Sequence, residues 1–168
     1  NQASSEQVLI EDWCQQFPSH SIGDLQFDAD GMLYASAGDG ASYSERDYGQ
    51  FGEPLNPCGD PPAGVGGAMS PPSAKGGSLR SQDVRTPSDP TGLDGTVIRI
   101  DPDTGEGLPD NPMATSPDAN ARRIIGFGLR NPFRFAIHPE TSEVYVGNVG
   151  QGSYEELGRF APTSGDGF

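Results

Sequence analysis

The chain has 168 residues, among them 24 Gly and 16 Pro, with a formal charge of −14 and a mean hydropathy of −0.55. No apolar run approaches the ~20 residues that span a bilayer, and no segment has the positive field that nucleic acid requires. Gly and Pro recur every few residues, which excludes a helix bundle and leaves two readings, an all-β domain rich in turns or a partly disordered acidic chain.

In chain order, residues 7–12 are expected to form a short strand and 13–22 to be irregular. Residues 24–28 and 32–37 alternate apolar and polar side chains around Asp28–Gly31, which has turn chemistry, so they predict a hairpin. Residues 40–94 contain 10 Gly and 8 Pro and show little periodicity. A connection that long is either a functional surface excursion or partly disordered. A β-branched run predicts a strand over 95–101, with Thr96, Ile98 and Ile100 on one face and Val97 and Arg99 on the other. Asp101–Gly105 closes that strand, and 106–120 is a Pro-rich connection. Further strands are expected at 122–127, 133–137, 143–147 and 154–160, and no helix is expected.

A weak internal repeat links the hairpin at Leu25–Gly38 to Phe135–Gly150. Removing the excursion leaves a spacing close to the ~40–50 residues of a propeller blade, with four strands between the repeats. That favours a β-propeller with four-stranded antiparallel blades over its main rival, a β-sandwich. The whole of 1–168 then reads as one partial propeller domain of about two blades, interrupted by the 40–94 insert. Asn1 at the start and the loop-like end at Thr163–Phe168 suggest an excerpt of a longer protein that continues beyond residue 168.

Several residues offer chemistry. His20 lies in an irregular loop before the first hairpin, where an imidazole suits a general base, although a lone loop histidine is more often a hydrogen-bonding or surface residue. Arg130 and Asn131 lie between a strand and Pro132. Arg130 presents a cationic fork for a carboxylate or oxyanion, or else holds blades together through backbone carbonyls. Gly147–Gly152 brings backbone carbonyls within reach of a hard cation such as Ca²⁺, or is simply a tight turn. Glu155 and Glu156 add carboxylates or form a solvated pair. Asp28, Asp30, Asp101, Asp103 and His138 read as turn residues. Cys14 and Cys58 are either one disulfide, as in a secreted protein, or two unpaired thiols.

Four ordered segments, His20–Leu25, Asp30–Gly40, Gly128–Pro132 and Asn148–Leu157, resemble the glucose/sorbosone dehydrogenase family. The resemblance implies a six-bladed β-propeller that holds pyrroloquinoline quinone and Ca²⁺ and oxidises an aldose or related sugar at the anomeric carbon, passing electrons to an external acceptor. It implies that His20 is the base, that Arg130 stabilises the oxyanion on the cofactor, and that Asn131 and Gly150 bind the cofactor. The carbonyls of Gly150 and Gln151 would ligate the active-site Ca²⁺, and Glu156 would serve a second, structural Ca²⁺. A secreted or periplasmic location goes with it. Val149 replaces a glutamine of the family's prototype near the substrate, and Asp24 replaces a basic residue. Family residues that grip the quinone's carboxylates would lie beyond Phe168, so this chain alone is expected to be inactive. The alternative is a non-catalytic secreted propeller that binds carbohydrate or protein. A propeller hydrolase would need a ring of Asp, Asn and Glu ligands that the visible positions do not supply.

Overall fold

The computed structural model describes residues 5–15, 17, 19–41, 77, 80–85, 90–150 and 152–167. Eight strands run β1 Ile22–Phe27, β2 Leu33–Ala37, β3 Thr96–Ile100, β4 Ile124–Phe127, β5 Pro132–Ile137, β6 Val144–Asn148, β7 Glu156–Phe160 and β8 Asp166–Gly167. One sheet has the order β1-β2-β3-β4-β8 and the other β5-β6-β7. The four strands placed between the sequence repeats therefore form one antiparallel meander, and the chain is all-β and part of a β-propeller. The second sheet has three strands among the described residues rather than four.

Alternation along the strands explains the packing. Every residue of β3 is buried, because this central strand is covered on both faces. Val97 points with Tyr34 and Ile125 toward Phe135, Val144, Val146 and Phe160, so this layer fills the space between the sheets. Ile98 and Ile100 point the other way, onto Ala35, Leu93 and Ile124. The two faces divide as the alternation predicts.

Residues 7–12 do not form the expected strand. The segment runs irregularly over the outer face of the first sheet, where Leu9, Ile10 and Trp13 pack on the second core. Trp13 Nε1 donates to the Leu93 carbonyl at 2.9 Å. The apolar residues were recruited by burial without a partner strand for their backbone. The expectation of no helix is also corrected. α1 spans Ala119–Arg123, started by the Asp118 side chain, which accepts from the Ala121 N–H. A single 3-10 turn covers Asp83–Arg85. The end of the chain, read as an outgoing loop, supplies β8, which pairs parallel to β4. Asp28 and Asp101 act as turn residues, each accepting two backbone N–H groups through Oδ1. His138 does the same through Nδ1, accepting from Glu140 and Thr141. Most of the 40–94 excursion, including Cys58, lies outside the described residues.

Tyr34 is fully buried, and its hydroxyl has no hydrogen-bond partner among the described residues. Burial pushes its phenol up to about 12, a shift opposed by the nearby Arg99 cation and reinforced by Asp28. The unfolded chain ionises this phenol first, so its contribution to stability is intact below pH 10 and is lost as pH rises toward about 12. Tyr34→Phe is expected to remove that part of the alkaline loss in urea denaturation series. At neutral pH the same change is expected to raise stability, by up to about 1–3 kcal/mol, because a buried hydroxyl without a partner is removed.

Candidate functional site

Antiparallel pairing decides where the functional residues meet. Ile22 opposes Ala37, Ala37 opposes Thr96 and Thr96 opposes Phe127, so β1 starts where β2 ends, β3 starts and β4 ends. In the second sheet Pro132 opposes Asn148, and Asn148 opposes Glu156. Backbone bonds knit this end together. Gly38 N–H donates to Ser21 O at 3.0 Å, Gly95 N–H to Gly38 O at 2.8 Å and Leu129 N–H to Gly95 O at 3.0 Å. His20, Arg130, Asn131, Gly150 and Glu156 all lie in or beside the loops at this end. Gln151 lies outside the described residues.

His20 is buried, and its Nδ1 is 2.7 Å from Asp39 Oδ1. A carboxylate accepts only, so Nδ1 carries a proton, and in the neutral imidazole Nε2 keeps its lone pair. His20 has φ 54, in the left-handed region. Residues other than glycine seldom adopt it, although histidine does so more readily than most, and such backbone conformations concentrate at functional sites. Gly38 makes room for it, since a Cβ there would sit 2.4 Å from the His20 carbonyl oxygen. Asp39 also joins the two sheets, because its N–H donates to the Arg130 carbonyl at 2.9 Å. The base candidate and the arginine loop are therefore held by one residue.

Arg130 is half-buried, and its Nη1 donates to the carbonyls of Val149 at 2.9 Å and Gly150 at 3.0 Å. The reading of Arg130 as a clasp on backbone carbonyls thus describes one of its nitrogens. Nε and Nη2 make no hydrogen bond among the described residues and stay available to an anion. The Asn131 side-chain amide is similarly uncommitted. Its backbone is fixed by donation to Asn148 Oδ1 at 2.9 Å and by acceptance from the Val149 N–H at 2.9 Å.

Asn148 organises this half of the site. Its Oδ1 accepts from the N–H groups of both Arg130 and Asn131, and its Nδ2 donates to Glu156 Oε2 at 2.6 Å. The Gly150 N–H donates to Glu155 Oε2 at 2.9 Å. Gly150 must be glycine in this turn, since a Cβ would lie 1.8 Å from the Tyr154 carbonyl oxygen. Asp24 is turned to a structural task, accepting from the N–H of Leu25 and from Gln26 Nε2. Sequence reasoning assigned no role to Asp39 or Asn148. Both stood inside the quoted segments, Asp39 between two glycines at a strand end.

The family model described as Glucose / Sorbosone dehydrogenase matches residues 76–168. The chain belongs to the glucose/sorbosone dehydrogenase family. Solved structures agree on the fold. A Thermus thermophilus structure titled "putative oxidoreductase (glucose dehydrogenase)" is 23% identical with a TM-score of 0.58 over 94% of this chain and 35% of its own. A structure titled glucose dehydrogenase is 21% identical with a TM-score of 0.51 over 88% of this chain and 32% of its own. Another, also described as a glucose dehydrogenase, is 19% identical with a TM-score of 0.50 over 86% and 30%. The chain spans about a third of the length of these structures.

The donor chemistry can be weighed against the groups that family resemblance implies. An anionic quinone fits the uncommitted Arg130 nitrogens and the Asn131 amide. Ca²⁺ takes six to eight oxygen ligands. Among the described residues no group of three or more His, Cys, Asp or Glu is arranged to hold a metal. The Gly150 carbonyl is shared with Arg130, and Glu156 is bound by Asn148.

Asn148→Ala leaves two N–H groups and one carboxylate without their partner. A loss of about 1–3 kcal/mol is expected for each group that water does not reach. Thermal unfolding of the full-length protein checks it, with Thr141→Ala in an exposed turn as the control that is expected to stay within about 0.5 kcal/mol.

Proposed function

We propose that this chain contributes the proton-accepting part of a quinone-dependent dehydrogenase that oxidises an aldose or related sugar at the anomeric carbon. The observation that carries the reading is the buried His20–Asp39 pair at 2.7 Å, tied through the Asp39 N–H to the Arg130 loop. A scaffold that only binds has no need of a histidine held in one tautomer beside a cation.

Oxidation of an alcohol carbon removes the hydroxyl proton and a hydride. His20 Nε2 accepts the proton, and Asp39 stabilises the imidazolium that results. When bound, the quinone supplies the hydride acceptor. Arg130 Nε and Nη2 would offer charged donors to anionic oxygens of a bound quinone. Asn131 orients the bound group through its amide. Ca²⁺ enters this reading through the carbonyls of Gly150 and Gln151, which family resemblance implies. A cation on Gly150 O would repel Arg130 Nη1, and no step depends on it.

The test uses the full-length protein with pyrroloquinoline quinone, Ca²⁺ and a panel of aldoses, reading reduction of a dye. His20→Ala is expected to lower kcat about 10²- to 10⁴-fold, the range for a general base. Asp39→Asn is expected to lower kcat strongly while leaving KM for the sugar nearly unchanged. No absorbance change on quinone titration, together with no dye reduction, would overturn the reading in favour of a non-catalytic binding propeller.

A secreted or periplasmic location and a Cys14–Cys58 disulfide belong to the same proposal. The disulfide is supported by Cys14 being disulfide-bonded. The intact mass is expected to rise by about 2 Da on reduction, since a disulfide takes up two hydrogens. An unchanged mass would remove the disulfide.

A further inference from the structure

Arg80 is the largest fully buried side chain described, at 1% exposure, and it belongs to the long excursion rather than to a strand. A guanidinium is always charged and is seldom buried without a specific task. Its Nη1 donates to the backbone carbonyl of Asp39. Its Nε faces Asp94 Oδ2 at 3.9 Å, and Asp94 is itself buried. Asp94 lies just ahead of β3, so the arginine is braced from the central strand of the first sheet.

The remaining polar groups of Asp39 look elsewhere. Its N–H donates to Arg130 O at 2.9 Å, and its Oδ1 accepts from Ala41 N–H at 3.0 Å and from His20 Nδ1 at 2.7 Å. Arg80 therefore holds the one backbone group of Asp39 that no strand or loop peptide holds. Gly77, from the same turn of chain, closes over the carboxylate, since a Cβ there would meet Asp39 Oδ2 at 2.3 Å.

We propose that Arg80 is a positioning residue for the base, acting through Asp39 to keep the imidazole of His20 in the Nδ1–H tautomer. This rests on the reading of His20 as the base. The excursion would then be part of the active site's support, with Arg80 delivered to the end of the sheets where the base sits. Weakening the hold on the Asp39 carbonyl leaves its peptide fixed only by the Gly40 N–H, which donates to the His20 carbonyl at 3.3 Å, so the carboxylate is less firmly placed. The carboxylate then no longer selects one ring nitrogen.

Two variants of the full-length protein test this. Arg80→Lys keeps the charge opposite Asp94 but replaces the fork with a single ammonium that serves both partners poorly. Arg80→Gln with Asp94→Asn removes both charges of the pair together. Imidazole ¹⁵N shifts report the tautomer without turnover, and the His20 signal is identified by its loss in His20→Gln. The native protein is expected to show the proton on Nδ1. Both variants are expected to show mixed tautomers, with kcat lowered about 10- to 100-fold, as for a misplaced catalytic group, and KM within about twofold.

A lower melting temperature with the native tautomer and native kcat would overturn the proposal and leave Arg80 a purely structural residue. If the double variant does not fold, the tautomer in Arg80→Lys decides. Mixed tautomers without any sugar oxidation, in the variants or the native protein, would sink the dehydrogenase reading and not the positioning role. A native tautomer in the variants, with activity lost only in His20→Ala, would do the reverse.

Discussion

Asp39 is the point on which the site depends. Its carboxylate holds His20, its N–H holds the Arg130 loop and its carbonyl is held by Arg80. These partners come from the lead into β1, the connection between the two sheets and the long excursion. The short strand β2 delivers Asp39, and Gly38 and Gly40 on either side let its neighbours approach. The unusual backbone of His20 persists because the surrounding bonds over-determine it.

The position of the site follows from the meander. In a four-stranded antiparallel sheet, odd strands begin where even strands end, so alternate connections gather on one side. The second sheet has the same sense, and the bond from Asp39 to Arg130 crosses between them. The apolar layer of Tyr34, Val97, Ile125, Phe135, Val144, Val146 and Phe160 sets the separation of the sheets. That separation sets the distance between the base and the arginine. Core packing and candidate chemistry are linked through a small number of backbone bonds.

Much of the fold was legible because strands of period two announce themselves. The hairpin, β3 and the strands of the second sheet fell close to where alternation placed them. The stretch 7–12 misled because apolar residues that pack on a sheet face resemble residues that join the sheet. α1 was missed because a five-residue helix is set by one cap, Asp118, and has no periodicity to read. The final strand was missed because two residues of parallel pairing leave no pattern. Among the site residues, His20 and Arg130 stood out as reactive side chains in irregular loops. Asp39 and Asn148 did not, since Asp and Asn beside glycine are also ordinary turn residues.

By itself the sequence determined the class of structure and a short roster of reactive groups. Breakers at this density, with short β-branched runs between them, fit turn-linked strands far better than helices. The acidic balance argues against nucleic acid for reasons of charge alone. Only the tertiary structure decided which groups meet. The pairing of His20 with Asp39, the sharing of the Gly150 carbonyl with Arg130, and the burial of Arg80 beneath Asp39 each join residues far apart in the chain. Such contacts depend on sheet register and on the distance between sheets, and neither quantity is written in any local stretch of residues.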